Sequence, residues 1–126
     1  MLKDFDAVAI IAVSDTDRAR AFYTDVLGLD APEDGPGGTM AFKTGGVMLL
    51  LYPSEFAGTN KANAVVFGVE GIDDIVADLQ AKGAEFATYP EMGMTMDGPI
   101  HVDGEVRLVW VKDPDGNLIH LNQGMA

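Results

Sequence analysis

The order of signals along this chain is written twice, and that repetition limits the fold more than any single motif. Ala7 to Val13 is an apolar run of strand length, read as a strand buried on both faces. Ser14, Asp15 and Thr16 follow as helix-capping residues. Ala19, Phe22, Tyr23, Val26 and Leu27 then recur at helical spacing, and Gly28 stands where a helix needs a left-handed terminator. Asp30 to Thr39 reads as a loop. Met40 to Lys43 and Val47 to Tyr52 read as strands around a Gly45-Gly46 turn, and Pro53 to Asn63 as a connector.

The second half runs the same way. Ala64 to Val69 is the strand, and Ile72, Ile75, Val76 and Leu79 are the helical stripe, with Asp73 as its cap and Gly83 as its end. Strand-like segments follow at Ala84 to Tyr89, Met92 to Met96 and Val106 to Lys112. Asp113-Pro114-Asp115-Gly116-Asn117 is a turn, and Leu118 to Asn122 a last strand. Gly28 and Gly83 are 55 residues apart, and Val13 and Val69 are 56 apart. A fixed offset points to a duplicated β-α-β-β-β unit. One helix can cover one face of its strands, so the other face must be buried against the second unit or around a ligand.

Composition narrows the function. With 126 residues the chain is one domain, able to bury roughly two thirds of its unfolded surface. It has no cysteine, which excludes disulfides, thiolate zinc sites and a cysteine nucleophile. Eight basic against twenty acidic residues give a net charge of −12. That argues against nucleic acid and against an anionic membrane as partners, and leaves a neutral or cationic small molecule. No signal or spanning segment is visible, so a soluble cytoplasmic protein is expected.

Two segments carry a resemblance. Val13-Ser14-Asp15 with Ala21-Phe22-Tyr23-Thr24-Asp25-Val26-Leu27-Gly28-Leu29 is the first, and Val111-Lys112-Asp113-Pro114-Asp115-Gly116-Asn117-Leu118-Ile119-His120-Leu121 the second. Together they resemble the vicinal oxygen chelate superfamily of glyoxalase I, extradiol dioxygenases, fosfomycin-modifying enzymes and bleomycin-resistance proteins. The resemblance implies an α+β fold of two βαβββ modules, about residues 5–53 and 63–123, forming a cup-shaped mixed sheet with helices on its convex side. It implies homodimers too. One fold hosts many functions, so the reaction does not follow from it.

Enzymes of this family hold a divalent metal through His and Glu side chains. Counting from the signatures, the resemblance assigns the ligand positions to Val8, Leu49 or Leu50, Ala64 and His120. Aliphatic side chains have no lone pair to give a metal. The expectation is therefore no metal, no cofactor and no catalytic residue. Two alternatives stay open. One is a rebuilt metal site from His101, His120 and Asp97 or Glu105. The other is a metal-free enzyme with Glu70, Glu91, Asp97 or Glu105 as base.

By alternation, Val8, Ile10 and Ala12, then Ala64, Val66 and Gly68, then Leu118, His120 and Asn122 share the inner face. Met92, Met94 and Met96 would project together from one strand, suited to adaptable contact with an aromatic ligand. Trp110 could stack on a planar ligand or pack under the helix, and its face is open. The expected ligand-binding residues are His120, Trp110, Met92, Met94, Met96, Val8, Ala64, Tyr52 and Asn122. The expected function is sequestration of a bulky, partly aromatic, neutral or cationic compound, as in the bleomycin-resistance branch. The alternative is a metal-dependent lyase, isomerase or dioxygenase with displaced ligands.

Overall fold

A computed structural model describes residues 1–125. The chain divides into two compact units, Met1–Thr59 and Asn60–Ala126.

In the first unit, β1 (Ala9–Val13) leads into helix α1 (Thr16–Ala21), then β2 (Glu33–Asp34), β3 (Met40–Thr44) and β4 (Val47–Pro53). Asp15 caps α1, its carboxylate accepting the Arg18 N–H at 3.0 Å. The helix then widens into a π turn over Phe22–Val26, with Leu27 N–H bonded to the Phe22 carbonyl. An extra residue per turn carries later side chains around the axis. Of the expected stripe, Ala19 and Tyr23 are fully buried, while Phe22, Val26 and Leu27 are half-buried. Gly28 ends the turn at φ +78°, and Leu29 N–H closes onto the Tyr23 carbonyl at 3.0 Å.

The strand order is β1-β4-β3-β2, with β1 parallel to β4 and the rest antiparallel. Ile11, Val13, Met40, Phe42, Leu49 and Leu51 form the buried face with Ala19 and Tyr23. Each such large side chain stabilises the fold by about 1.5–3 kcal/mol. The strand expected to be buried on both faces is buried on one: Ile11 is 2% exposed and Ile10 57%. Ile10 lies opposite Leu50, so Leu50 shares the open face, while Leu49 points into the core.

The second unit runs β5 (Asn63–Gly68), α2 (Ile72–Ala81), β6 (Glu85–Ala87), β7 (Thr95–Asp97), β8 (Ile100–Asp103), β9 (Val106–Lys112) and β10 (Leu118–Gln123). Its order is β5-β10-β9, with β6 and β8 both pairing β9, and β7 outside β8. β5 and β10 are parallel, as β1 and β4 are. The β7–β8 hairpin is an addition to the repeated βαβββ order. Both units are therefore α+β, as expected.

The cap of α2 differs from the sequence reading. Gly71 at φ +69° is the N-cap, and the Ile72 N–H, which has no partner within the helix, is satisfied by Gln123 Oε1 at 2.9 Å, from the end of β10. Asp73 lies within the first turn instead. Ile72, Val76 and Leu79 are buried, together with Val109, Val111, Ile119 and Leu121 of β9 and β10. Gly83 closes α2 at φ +79°, with Ala84 N–H on the Leu79 carbonyl, as Gly28 closes the first helical segment.

The Asp-Pro turn is held by one buried carboxylate. Asp113 accepts the backbone N–H groups of Asp115 and Asn117 and the Asn117 side-chain amide, all within 2.9 Å. Of the turn residues, only Gly116 takes positive φ. Among the described residues no helix is long and apolar enough to cross a membrane.

Candidate functional site

The site is built on the face of the second sheet opposite Val109, Val111 and Ile119. Pairing aligns Val66 of β5, His120 of β10, Trp110 of β9 and Ala87 of β6 in one row. One step along, His101 of β8 lies opposite Leu108, which shares the parity of Trp110. This settles the face of Trp110: it lies beside His120, away from the core under α2.

Four rings gather there. Trp110 stacks on His120 with centroids 4.6 Å apart and planes 23° from parallel. Tyr89 and His101 each stand nearly perpendicular to the indole at 4.9 Å. Such pairs add about 0.5–1.5 kcal/mol each beyond area burial. The cluster leaves Trp110 only 7% exposed. His120 covers one face of the indole, and little of the ring is left to solvent.

The two histidines are tied differently. His101 is fully buried, with Nε2 accepting the Tyr89 N–H at 2.8 Å and Nδ1 3.2 Å from the Leu108 carbonyl. That network assigns its proton to Nδ1, and both nitrogens are engaged. His120 Nδ1 lies 3.1 Å from the Val109 carbonyl and donates to it, which leaves the Nε2 lone pair for the open face. Burial lowers the His120 pKa below its usual 6.5, and the nearby His101 adds to this, while the Val109 hydrogen bond opposes it. His120 at neutral pH is thus an acceptor through Nε2.

Beside the cluster lies a depression of about 310 Å³, lined by Lys61, Asn63, Tyr89, Glu91, Met92, Trp110 and Leu118. Its size is at the lower end for small-molecule sites. Asn63 Oδ1 accepts the Trp110 indole N–H at 2.9 Å and fixes the ring's orientation.

The expected residues separate on this geometry. His120 and Trp110 are brought together, and Met92 reaches the pocket rim, 51% exposed. The methionine strand does not form. Pro90 opens a single 3-10 turn ending at Met92, Gly93 takes φ +81°, and only Met96 lies in β7. Met94 and Met96 are half-buried and do not line the pocket. Asn122 shares the His120 face, opposite Leu108 and Gly68. Ala64 sits at a register slip in the β5–β10 pairing and has no partner across it. Tyr52 lies on the open face of the first unit's sheet, opposite Ala12, and Val8 precedes β1; they are 36% and 42% exposed.

Asn63 and Tyr89 are not among the expected residues. The sequence puts Asn63 at the end of the connector, and no local signal marks it, because the slip depends on the β10 register. Tyr89 reads as the end of the segment Ala84 to Tyr89. Of the candidate bases only Glu91 lines the pocket; Glu70, Asp97 and Glu105 are exposed elsewhere.

The metal positions implied by the resemblance are filled by Val8, Leu50 and Ala64, which have no donor atom, and by His120. His101 cannot substitute, since its lone pair is held by Tyr89 N–H. Among the described residues no three His, Asp or Glu side chains gather as a metal site. This donor set does not fit a divalent ion.

Comparisons with known proteins agree with the duplicated fold. YurT of Bacillus subtilis (strain 168), an uncharacterized protein, is 33% identical over 126 residues, covering 92% of this chain and 96% of YurT. A probable lactoylglutathione lyase of Vibrio cholerae serotype O1 is 31% identical over 125 residues, covering 90% and 86%. The crystal structure of TnmS3, an antibiotic binding protein from Streptomyces sp. CB03234, matches with a TM-score of 0.64 at 25% identity, covering 94% of this chain and 96% of TnmS3. The sequence model of the glyoxalase/bleomycin resistance protein/dioxygenase superfamily matches residues 5–121, and the chain belongs to that superfamily.

Proposed function

We propose that this protein binds a partly aromatic, neutral or cationic small molecule without a metal and without turning it over. The observation that carries the reading is the aromatic wall of Tyr89, Trp110 and His120 beside an open pocket, in a chain where three of the four metal-ligand positions implied by the resemblance are aliphatic. Binding needs affinity and no transition-state stabilisation, so a missing Lewis acid costs such a protein nothing. The net charge of −12 disfavours anionic ligands. The likeness to TnmS3, an antibiotic binding protein, supports a small-molecule ligand. A pocket of about 310 Å³ takes two or three fused rings, so a bulkier compound would leave part of itself outside. The homodimer and the cytoplasmic location expected from the sequence belong to this proposal.

The second reading is a metal-dependent lyase, favoured by the 31% identity to a probable lactoylglutathione lyase. Eight basic residues in the whole chain are a poor match for a ligand with two carboxylates such as glutathione.

Trp110 is the sole tryptophan and reports on its own pocket. Its fluorescence is titrated with a panel of polycyclic aromatic antibiotics, with and without chelator, and the purified protein is analysed for metals. Saturable quenching indifferent to chelator supports the proposal. A near-stoichiometric transition metal, with binding or turnover lost on chelation, replaces it with the second reading.

A further inference from the structure

We infer that the pocket selects planar aromatic ligands bearing a carbonyl oxygen, and that Asn63 makes the selection. The inference rests on the pocket being an aromatic-ligand site, and it adds the polar chemistry that site would read. Trp110 Nε1 can only donate a hydrogen bond. The 2.9 Å contact to Asn63 therefore requires the amide oxygen to face the indole, and the flip of this amide is fixed by its partner. The amide NH2 must then point away from the indole.

Asn63 is exposed and lines the pocket, and its NH2 donates to no group among the described residues. Lys61 lines the same pocket and makes no ion pair among the described residues. Two donor groups are thus uncommitted, and the indole N–H that could have been a third is spent on Asn63. A complementary ligand supplies an acceptor there. Glu91 on the pocket wall and the acidic whole disfavour a carboxylate. An uncharged carbonyl on a flat ring meets the donors without bringing charge past them.

The test compares fluorenone with fluorene, which share a tricyclic skeleton and differ by one carbonyl oxygen. Dissociation constants are read from Trp110 fluorescence in the native protein and in Asn63→Asp. This variant keeps an oxygen for the indole N–H and removes the NH2. One good hydrogen bond predicts about tenfold tighter binding of fluorenone by the native protein. In Asn63→Asp the ratio of the two dissociation constants should fall by about threefold or more, Lys61 holding what remains. Equal affinities in the native protein, or a ratio in the variant as large as the native one, overturn the inference and leave the aromatic site standing. Binding of neither probe overturns both. Where Asn63→Asp folds poorly, Lys61→Met supplies the comparison: it should keep the preference for fluorenone, and loss of that preference overturns the role of Asn63.

Discussion

Trp110→Ala tests whether the aromatic wall is a packed, preorganised surface. The indole is 7% exposed, stacks on His120, meets Tyr89 and His101 at 4.9 Å and donates to Asn63. Truncating a buried Trp to Ala costs about 3–5 kcal/mol, transfer and cavity terms together. Three ring contacts end with it, which places the expectation in the upper half of that range. Trp110→Phe keeps a ring against His120 and loses the indole N–H, whose exposed partner Asn63 turns to water, so it should cost only about 1–2 kcal/mol. For a chain of this length about 4 kcal/mol corresponds to roughly 10–20 °C in Tm. Urea unfolding followed by circular dichroism measures both variants without needing the lost fluorophore. A loss below about 1 kcal/mol for Trp110→Ala would refute the reasoning. The ring would then be loose, and a ligand would pay to order it on binding.

Two further outcomes follow from buried polar groups. The His120 pKa is lowered in the folded state, so the unfolded chain, titrating near 6.5, binds more protons in the window just below that value. Stability is therefore fully present above about pH 6.5 and falls as pH drops through the folded pKa; urea midpoints across this range should show that slope, and His120→Asn should flatten it. A midpoint that rises on acidification through the same window contradicts the burial argument. Asp113→Ala strands two backbone N–H groups and the Asn117 amide in a buried turn, and should cost about 2–4 kcal/mol by urea unfolding. A loss under about 0.5 kcal/mol would show that water replaces the carboxylate.

What could be read along the chain was what the chain settles locally. Gly28 and Gly83 end their helices at nearly the same φ because a left-handed residue is required there and glycine takes it without strain. The stripe Ile72, Val76 and Leu79 is buried as its spacing requires. The methionine strand fails on a local signal: Gly93, inside Met92 to Met96, takes φ +81° and breaks the alternation, and Met92 belongs to the turn that Pro90 opens. Other features are settled at a distance. The acceptor for Ile72 N–H comes from Gln123, 51 residues on. The face of Trp110 could not be read between Val109 and Val111, since all three are apolar, and pairing with His120 decides it. Asn63 reaches the indole because β5 slips against β10, a register no window of sequence contains.

His120 shows how a metal position can change its use while keeping its geometry. A metal-ligating histidine commonly donates its second ring N–H to a carbonyl, which fixes the tautomer and aims the other nitrogen. His120 makes that bond to Val109, so its Nε2 lone pair is oriented as a ligand's would be. The aliphatic co-ligand positions offer an ion no further donor, and a single imidazole is one ligand of the three or four that such a site uses. What is left is an oriented acceptor, held uncharged by the burial that lowers its pKa. An uncharged ring also suits its other contact, because a face-to-face stack on Trp110 then places no cation against the indole that ligand binding would have to desolvate. Tautomer, charge and stacking together hold His120 as part of the aromatic wall, with Nε2 an uncharged acceptor.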